Sequence, residues 1–404
     1  MNIIVIKFGG TSLATIDHFL KASKKIKEIS KKSKVIVVLS AMAGNTNSLV
    51  DLIKKVHDID SPNSDLVLST GEQISIGIMS LILNNKSVKS KSWTAWQIPI
   101  LTNNNYGKAR IQSIPTKNIM DSFKNYDVAI VAGFQGLSEE NTITTLGRGG
   151  SDTTAVAMAA AFKAKQCNIY TDVEGVYSAN PSIVSNAKKI DYLTYEEMLE
   201  MSSLGAKVLQ TRSVELAMKY NVTIQVLSSQ IDKPGTFVVN EKKKMEKEQV
   251  SGISFSKNEA KVTISGLLDK PGVSAGIFGP LADSNINVDM ILQNISQDGK
   301  TANITFTLPQ SELKKAVSVL NQIKNKNNFK SIKTDEKVAK VSAIGMGMRS
   351  QAGVAQKMFK ALGEKGINIQ AISTSEIKIS VLIDQDFTEL AVRSLHSIYG
   401  LDEE

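Results

Sequence analysis

Short apolar runs punctuate the first part of the chain at intervals too wide for hairpins. "NIIVIKF" (2–8), "VIVVLSA" (35–41), "VAIVAGF" (128–134), "NIYTD" (168–172) and "VTIQVL" (222–227) are apolar on consecutive rather than alternate positions. Consecutive apolar positions predict strands covered on both faces. Between them, residues 17–30, 74–84 and 152–163 follow a helical pattern. Such alternation predicts an α/β fold, a mainly parallel sheet covered by helices.

The rhythm changes after "EKKKMEKEQ" (241–249), an almost wholly charged stretch that reads as a boundary. Beyond it the chain repeats itself. "KVTISGLLDKPGVSAGIFGPLADSNINVDMI" (261–291) aligns with "KVSAIGMGMRSQAGVAQKMFKALGEKGINIQAI" (340–372) with one two-residue insertion. Gly266 and Gly345, Gly272-Val273 and Gly353-Val354, Phe278 and Phe359, Leu281 and Leu362, and Ile286-Asn287 and Ile367-Asn368 correspond. A further strand follows in each copy, "ANITFTL" (302–308) and "IKISVLI" (377–383). This predicts two βαββαβ units of roughly seventy residues each.

Composition narrows the class. The 404 residues suggest roughly two to four domains. With 42% hydrophobic and 22% charged residues, a large core needs no disulfide or structural metal. The single cysteine, Cys167, has no internal partner, and three scattered histidines give no zinc spacing. The N-terminus lacks the pattern of a signal peptide, and no run reaches the ~18 apolar residues of a membrane span. A reducing cytoplasm is the expected compartment. The net charge of +9 raises the question of nucleic acid. Seven of the lysines crowd into residues 21–34, where Phe19, Ile26 and Ile29 recur at helical spacing. That is the pattern of a solvated helix face rather than a phosphate-tracking surface.

Candidate chemistry gathers where predicted strands end. Lys7 closes the first strand and is followed by Gly9 and Gly10, which let backbone N–H groups approach an anion. Ser40, Asn45 and Thr46 follow the second strand, and Glu72 opens a helix after Gly71. Ligands of open parallel sheets bind beyond the carboxyl ends of the strands. "LGRGGSDTTAVAMAAAF" (146–162) is the most specific stretch. Glycines flank Arg148, Ser151 and Asp152 begin a helix, and the guanidinium offers a fork suited to a carboxylate. Asp172 ends a later strand, a loop with Gly175 and Pro181 follows, and Lys207 stands after Gly205. Two lysines, a strand-end aspartate, glycine cradles and an arginine fork suit phosphoryl transfer between anions.

Together "KFGGTS", "VLSAMAGNTN", "STGEQIS", "VAGFQG", "TTLGRGGSDTTAVAMA", "IYTDVEGVYSANP" and the paired C-terminal repeats resemble the aspartate kinases, amino-acid kinases with tandem ACT domains. The resemblance implies an αβα sandwich on a mainly parallel sheet over 1–240, a linker over 241–260, and ferredoxin-like ACT domains over 261–335 and 336–404. It implies transfer from ATP, carried with Mg²⁺, to the side-chain carboxylate of L-aspartate, with no protein-held metal. The reaction would begin lysine (diaminopimelate), threonine and methionine synthesis. Lys7, Asp172 and Lys207 would be catalytic, with Asp172 orienting the cationic groups. ATP would meet Lys7, Phe8, Gly9, Gly10, Ser40, Thr171, Asp172, Tyr177, Ser178, Asn180, Pro181, Ser182 and Lys207. Arg148 would clamp the α-carboxylate and Glu72 the ammonium, with Thr46, Gly149, Gly150 and Ser151 completing the pocket. Lysine or threonine would act as effectors on a homodimer or higher oligomer built through the ACT domains. Backbone N–H groups at Asn287 and Val288, the Asp289 carboxylate and Gln293 would hold the effector, with Thr374 or Glu376 added from the second repeat.

The chain departs from the family where its loop reads "ANPS", with neutral Asn180 and Ser182 in place of a charged pair. Weaker ATP binding is the corresponding expectation. Three other readings stay open on sequence: a kinase of the same fold acting on glutamate, carbamate or a nucleotide monophosphate; an amino-acid sensor with a degenerate kinase domain; and, on net charge alone, a nucleic-acid binder.

Overall fold

The computed structural model describes residues 2–56, 61–204, 208–241, 250–296, 299–349 and 353–402. The chain forms two compact units, one of residues 1–177 and 189–246, the other of 178–188 and 247–404. Lys207 lies outside the described residues, as does most of the charged stretch 241–249.

The first unit is built on an eight-stranded sheet. Its order is 192–194, 236–239, 224–228, 166–171, 3–8, 34–39, 128–132 and 90–93. All neighbours are parallel except 224–228 with 236–239. Ile3–Phe8 is central, with Lys7 level with Val38 on one side and Ile169 on the other. The carboxyl ends of these strands therefore emerge together and set Lys7, Ser40 and Thr171 along one edge. On one face, Ile6, Phe8, Val35, Val37 and Leu39 pack with Phe19 and Ile26 of helix Ile16–Ser30 and with Ile76, Met79 and Leu83 of helix Thr70–Asn85. The helices Gly150–Ala161, Tyr195–Ser203 and Thr211–Tyr220 form the other layer. A small sheet of Ile111–Ser113, Leu101–Thr102, Gln135–Leu137 and Ile143–Thr145 stands apart from the main one. Of the described residues, 62–85 form the one helical stretch long and apolar enough to cross a membrane. Asp65 and Glu72 are buried within it. We read it as a core element of the unit.

The second unit carries a six-stranded antiparallel sheet in the order 289–295, 301–309, 252–268, 331–344, 378–384 and 369–374. Gly252–Leu268 and Ser331–Ile344 pair along most of their length, from Gly252 with Ile344 to Ser265 with Ser331, through bulges near Ser256 and Glu259. This register corrects the domain boundaries expected from sequence. Residues 252–260 are strand, not linker. Residues 252–256 supply the fourth strand of the second repeat from a position ahead of the first. The cause is packing: Val250, Ile253 and Phe255 face the core of the second repeat, with Val341, Met358, Val381 and Leu395.

A second correction concerns 178–188, which sequence assigns to the catalytic domain. Ala179 and Val184 are buried in that same repeat-2 core. Ser178 bonds His396 Nε2 at 2.9 Å through its hydroxyl, and its carbonyl accepts the Ile253 N–H at 2.7 Å. The excursion leaves the first unit at Tyr177 and returns at Lys189, two residues joined by a β-bridge.

Between the repeats, the buried Lys340 ammonium lies 3.2 Å from Glu259 and 2.6 Å from Asp289. The two carboxylates hold its pKa above the ordinary lysine value despite burial, and the ammonium holds that of Asp289 below the ordinary range. Lys340→Met leaves Glu259 buried without its counter-charge. We expect a loss of about 3 kcal/mol, read as a lower denaturation midpoint of this unit. Glu259→Gln combined with Lys340→Met should recover part of it.

Asn287, Val288 and Gln293 are also engaged within the chain. The Asn287 N–H donates to Glu312 Oε2 at 3.2 Å, and Gln293 Oε1 accepts from the Ser274 hydroxyl at 3.2 Å. Val288 packs against the repeat-1 core. Thr374 ends strand Ile369–Thr374 and Glu376 stands in the turn after it, both exposed.

Candidate active site

A cavity of about 1340 Å³ opens at the carboxyl edge of the main sheet. Lys7, Gly9, Gly10, Ser40, Thr46, Glu72, Arg148, Gly149, Gly150, Ser151 and Thr171 all line it. One concave site thus gathers most of the residues sequence singled out.

Lys7 is mostly buried at the end of its strand, and its ammonium lies 2.6 Å from Asp152 Oδ1. Asp152 stands in the first turn of helix Gly150–Ala161, where the positive end of the helix dipole favours a carboxylate. The acid paired with Lys7 is Asp152, where sequence expected Asp172 to orient the cationic groups; Lys207, the other of these, lies outside the described residues. Asp172 is exposed, accepts a hydrogen bond from Thr171 Oγ1 at 3.0 Å, and does not line the cavity. Phe8, expected beside ATP, stacks on Tyr170 at 4.8 Å between centroids and belongs to the core.

The loop residues expected around the nucleotide divide. Tyr177 remains in the first unit, whereas Ser178, Asn180, Pro181 and Ser182 belong to the second. None of the four lines the cavity. Asn180 Oδ1 accepts from the Ser182 N–H at 3.0 Å and from its hydroxyl at 2.9 Å. The neutral pair that departs from the family pattern thus closes its own turn.

Glu72, in the first turn of helix Thr70–Asn85, is 3% exposed. Its Oε1 accepts the Ala41 N–H at 3.1 Å, and Oε2 has no hydrogen-bond partner. Burial pushes its pKa up to about 8, against the opposing pull of the Ala41 N–H. A buried carboxyl that belongs to the cavity lining and keeps one oxygen without a partner can take a cation, whose charge would in turn favour its ionised form. The raised pKa also has a stability consequence. The folded state keeps the proton that the unfolded chain releases near pH 4.5, so native stability falls as pH rises from there through about 8. Glu72→Gln keeps an acceptor for Ala41 and removes this dependence. The variant should therefore gain stability over the parent between pH 5 and 8 and hold a constant margin above that, which melting curves across pH would measure.

Arg148 is exposed at the tip of its turn. Gly147 and Gly149 hold φ of +78° and +69°, a left-handed region that a side chain resists. A Cβ on Gly149 would also sit 1.8 Å from Gln210 Cγ. The turn is therefore both coiled left-handed and pressed against Gln210, which fixes where Arg148 projects. Asp152, Gln210 and Arg212 all line the cavity, and sequence reasoning gave them no role. Asp152 was legible in principle, four residues beyond an arginine already singled out. Gln210 and Arg212 reach the site only through folding.

Comparison with known proteins follows this geometry. Residues 2–228 match the amino acid kinase family, and residues 262–323 and 341–399 match the ACT domain. An aspartate kinase of Pseudomonas putida is 49% identical over all of this chain and 98% of its own length. The crystal structure of Escherichia coli aspartokinase III with aspartate and ADP, in its R-state, superposes with a TM-score of 0.82 at 26% identity, covering 98% of this chain and 99% of that one. Its T-state, in complex with lysine and aspartate, gives 0.75 at 27% identity over 98% and 99%. A kinase sheet whose cavity pairs a strand-end lysine with an arginine turn, joined to an interlocked ACT pair, agrees with these likenesses over the full length: the chain belongs to the aspartate kinases, enzymes of the amino-acid kinase family.

Proposed function

We propose that this chain transfers the γ-phosphoryl group of Mg²⁺·ATP to the side-chain carboxylate of L-aspartate, giving 4-phospho-L-aspartate and ADP. One observation carries the reading: a single cavity holds Lys7 at the strand end, Glu72 with an unpartnered oxygen, and Arg148 on a rigid turn. An α-amino acid needs a cation for its α-carboxylate and an acceptor for its ammonium, and Arg148 and Glu72 offer both. Its side chain would then point toward Lys7, where Gly9 and Gly10 bring backbone N–H groups to the phosphates. Thr46 and Ser151 line the same space. A carboxylate nucleophile needs no general base, because it is already ionised at neutral pH. Catalysis is then a matter of positioning and charge: the Lys7 ammonium offsets repulsion between two anions and the charge that builds on the transferring group. Lys207 would supply a second cation. Magnesium enters with the nucleotide, as part of the substrate.

The product feeds the synthesis of lysine by way of diaminopimelate, of threonine and of methionine, in the cytoplasm. Lysine, threonine or both act through the ACT repeats of a homodimer or larger assembly. The effector's ammonium would share Asp289 with Lys340 or displace it, close to Asn287, Val288 and Gln293, with Thr374 or Glu376 contributed by the second repeat. ADP release coupled to a spectrophotometric readout tests the reading. It should require aspartate and Mg²⁺·ATP together, and added lysine or threonine should lower it. ADP release at the same rate without aspartate would contradict the proposal.

A further inference from the structure

Arg212 stands in the first turn of helix Thr211–Tyr220 and lines the cavity wall. A half-buried guanidinium commonly meets a carboxylate. Here Nη1 donates to the Leu146 carbonyl at 2.8 Å and Nη2 to the Ala109 carbonyl at 2.7 Å. These carbonyls belong to two adjacent segments that the Ala109 N–H joins at the Thr145 carbonyl, at 2.9 Å. The same segments are gripped from a second helix, Pro62–Leu68, by the fully buried Asp65. Its carboxylate accepts the Gly107 N–H at 3.0 Å, the Thr145 N–H at 2.7 Å and the Thr145 hydroxyl at 2.8 Å. Two N–H groups of this pair of segments thus go to an anion on one helix, and two of their carbonyls to a cation on another.

Leu146 immediately precedes the Gly147–Gly150 turn that carries Arg148, and Gln210, pressed against Gly149, lies two residues before Arg212. We propose that Arg212 is a positioning residue for substrate selection: it anchors the root of the Arg148 turn and so sets the distance between the Arg148 fork and the α-carboxylate of the amino-acid substrate. This rests on the reading of Arg148 given above. The role proposed needs no contact between Arg212 and the substrate. Arg212 acts through the backbone of Leu146, and its planar fork spans two carbonyls that a lysine would reach singly. Misplacing a substrate clamp by about 1 Å can cost on the order of 10²-fold in rate.

The test compares L-aspartate with its α-amide, which keeps the ammonium and the side-chain carboxylate but lacks the charge Arg148 would clasp. The readout is the ratio of kcat/KM for the two. Arg148→Ala should collapse this ratio. Arg212→Met should lower it about tenfold, with the KM for ATP and the melting temperature little changed, and Arg212→Lys about threefold. The double variant Arg148→Ala with Arg212→Met should show no further loss of the ratio than Arg148→Ala alone, because the two side chains act on one contact. If Arg148→Ala lowers the ratio and Arg212→Met does not, the positioning role is overturned while the reading of Arg148 stands. If Arg148→Ala leaves the ratio intact, both fall. Should Arg212→Met fail to fold, Arg212→Lys carries the test, and an unchanged ratio there overturns the proposal.

Discussion

Replacing Lys7 by methionine should lower kcat by about 10²–10³-fold while leaving the KM for aspartate within a few-fold of the parent, the scale expected when one charged stabiliser of a transition state is removed. The side chain ends where the central strand meets the glycine cradle, and its ammonium is already aligned by Asp152 at 2.6 Å. No reorganisation is needed for that charge to face a transferring phosphoryl group. Asp152→Asn should cost a similar factor, because the freed ammonium loses its orientation. The two residues act as one unit, so the double variant should be little worse than either single one. Stability separates catalysis from folding. Lys7→Met strands a buried carboxylate and should destabilise the unit by about 3 kcal/mol. Lys7→Met with Asp152→Asn removes both charges and should recover the melting temperature, but not turnover. Single-turnover kinetics beside melting curves would show this, and a double variant that regains activity along with stability would refute a catalytic role for the pair.

Arg148→Ala should act on the other substrate. A charge-assisted bond to a carboxylate contributes about 1.5–3 kcal/mol, so losing a two-pronged contact should lower kcat/KM for aspartate by about 10²-fold or more. Most of the loss should appear in KM, since the α-carboxylate is remote from the reacting atoms and is held alike in ground and transition states. The KM for ATP should stay within about twofold. Arg148 is exposed and lies on a turn whose shape is set by Gly147, Gly149 and Gln210, so its removal leaves the fold intact. An unchanged KM for aspartate would remove Arg148 from the substrate site.

Lys7, Glu72 and Arg148 could be read from the chain because each lies within two residues of a glycine at a predicted strand end, helix start or turn, a local signal. Asp152 was passed over because an acid in the first turn of a helix reads equally well as a partner of the helix dipole. Asp172 drew the role instead, since it too ends a strand, but its strand delivers it outside the cavity. The excursion of 178–188 into the second unit rests on a few apolar side chains, Ala179 and Val184 buried with Ile183 and Ala187 packed beside them, in a loop with no regular period. Nothing local says which core they enter. The strand Gly252–Leu268 was cut short because "SKNEAK" is polar through its bulged middle, where the chain passes from pairing within one repeat to pairing within the other. Asp65 and Arg212 meet partners far along the chain, and no periodicity records such contacts.

The measurement closest to the centre of this account traps the product. Incubation with Mg²⁺·ATP and hydroxylamine converts an acyl phosphate into a stable hydroxamate. With L-aspartate the hydroxamate should accumulate in step with ADP. With L-glutamate, one methylene longer between the Arg148–Glu72 grip and Lys7, it should form about 10–200-fold more slowly. Equal rates with the two acids, or ADP release from aspartate with no hydroxamate, would contradict the assignment of the side-chain carboxylate of aspartate as phosphoryl acceptor.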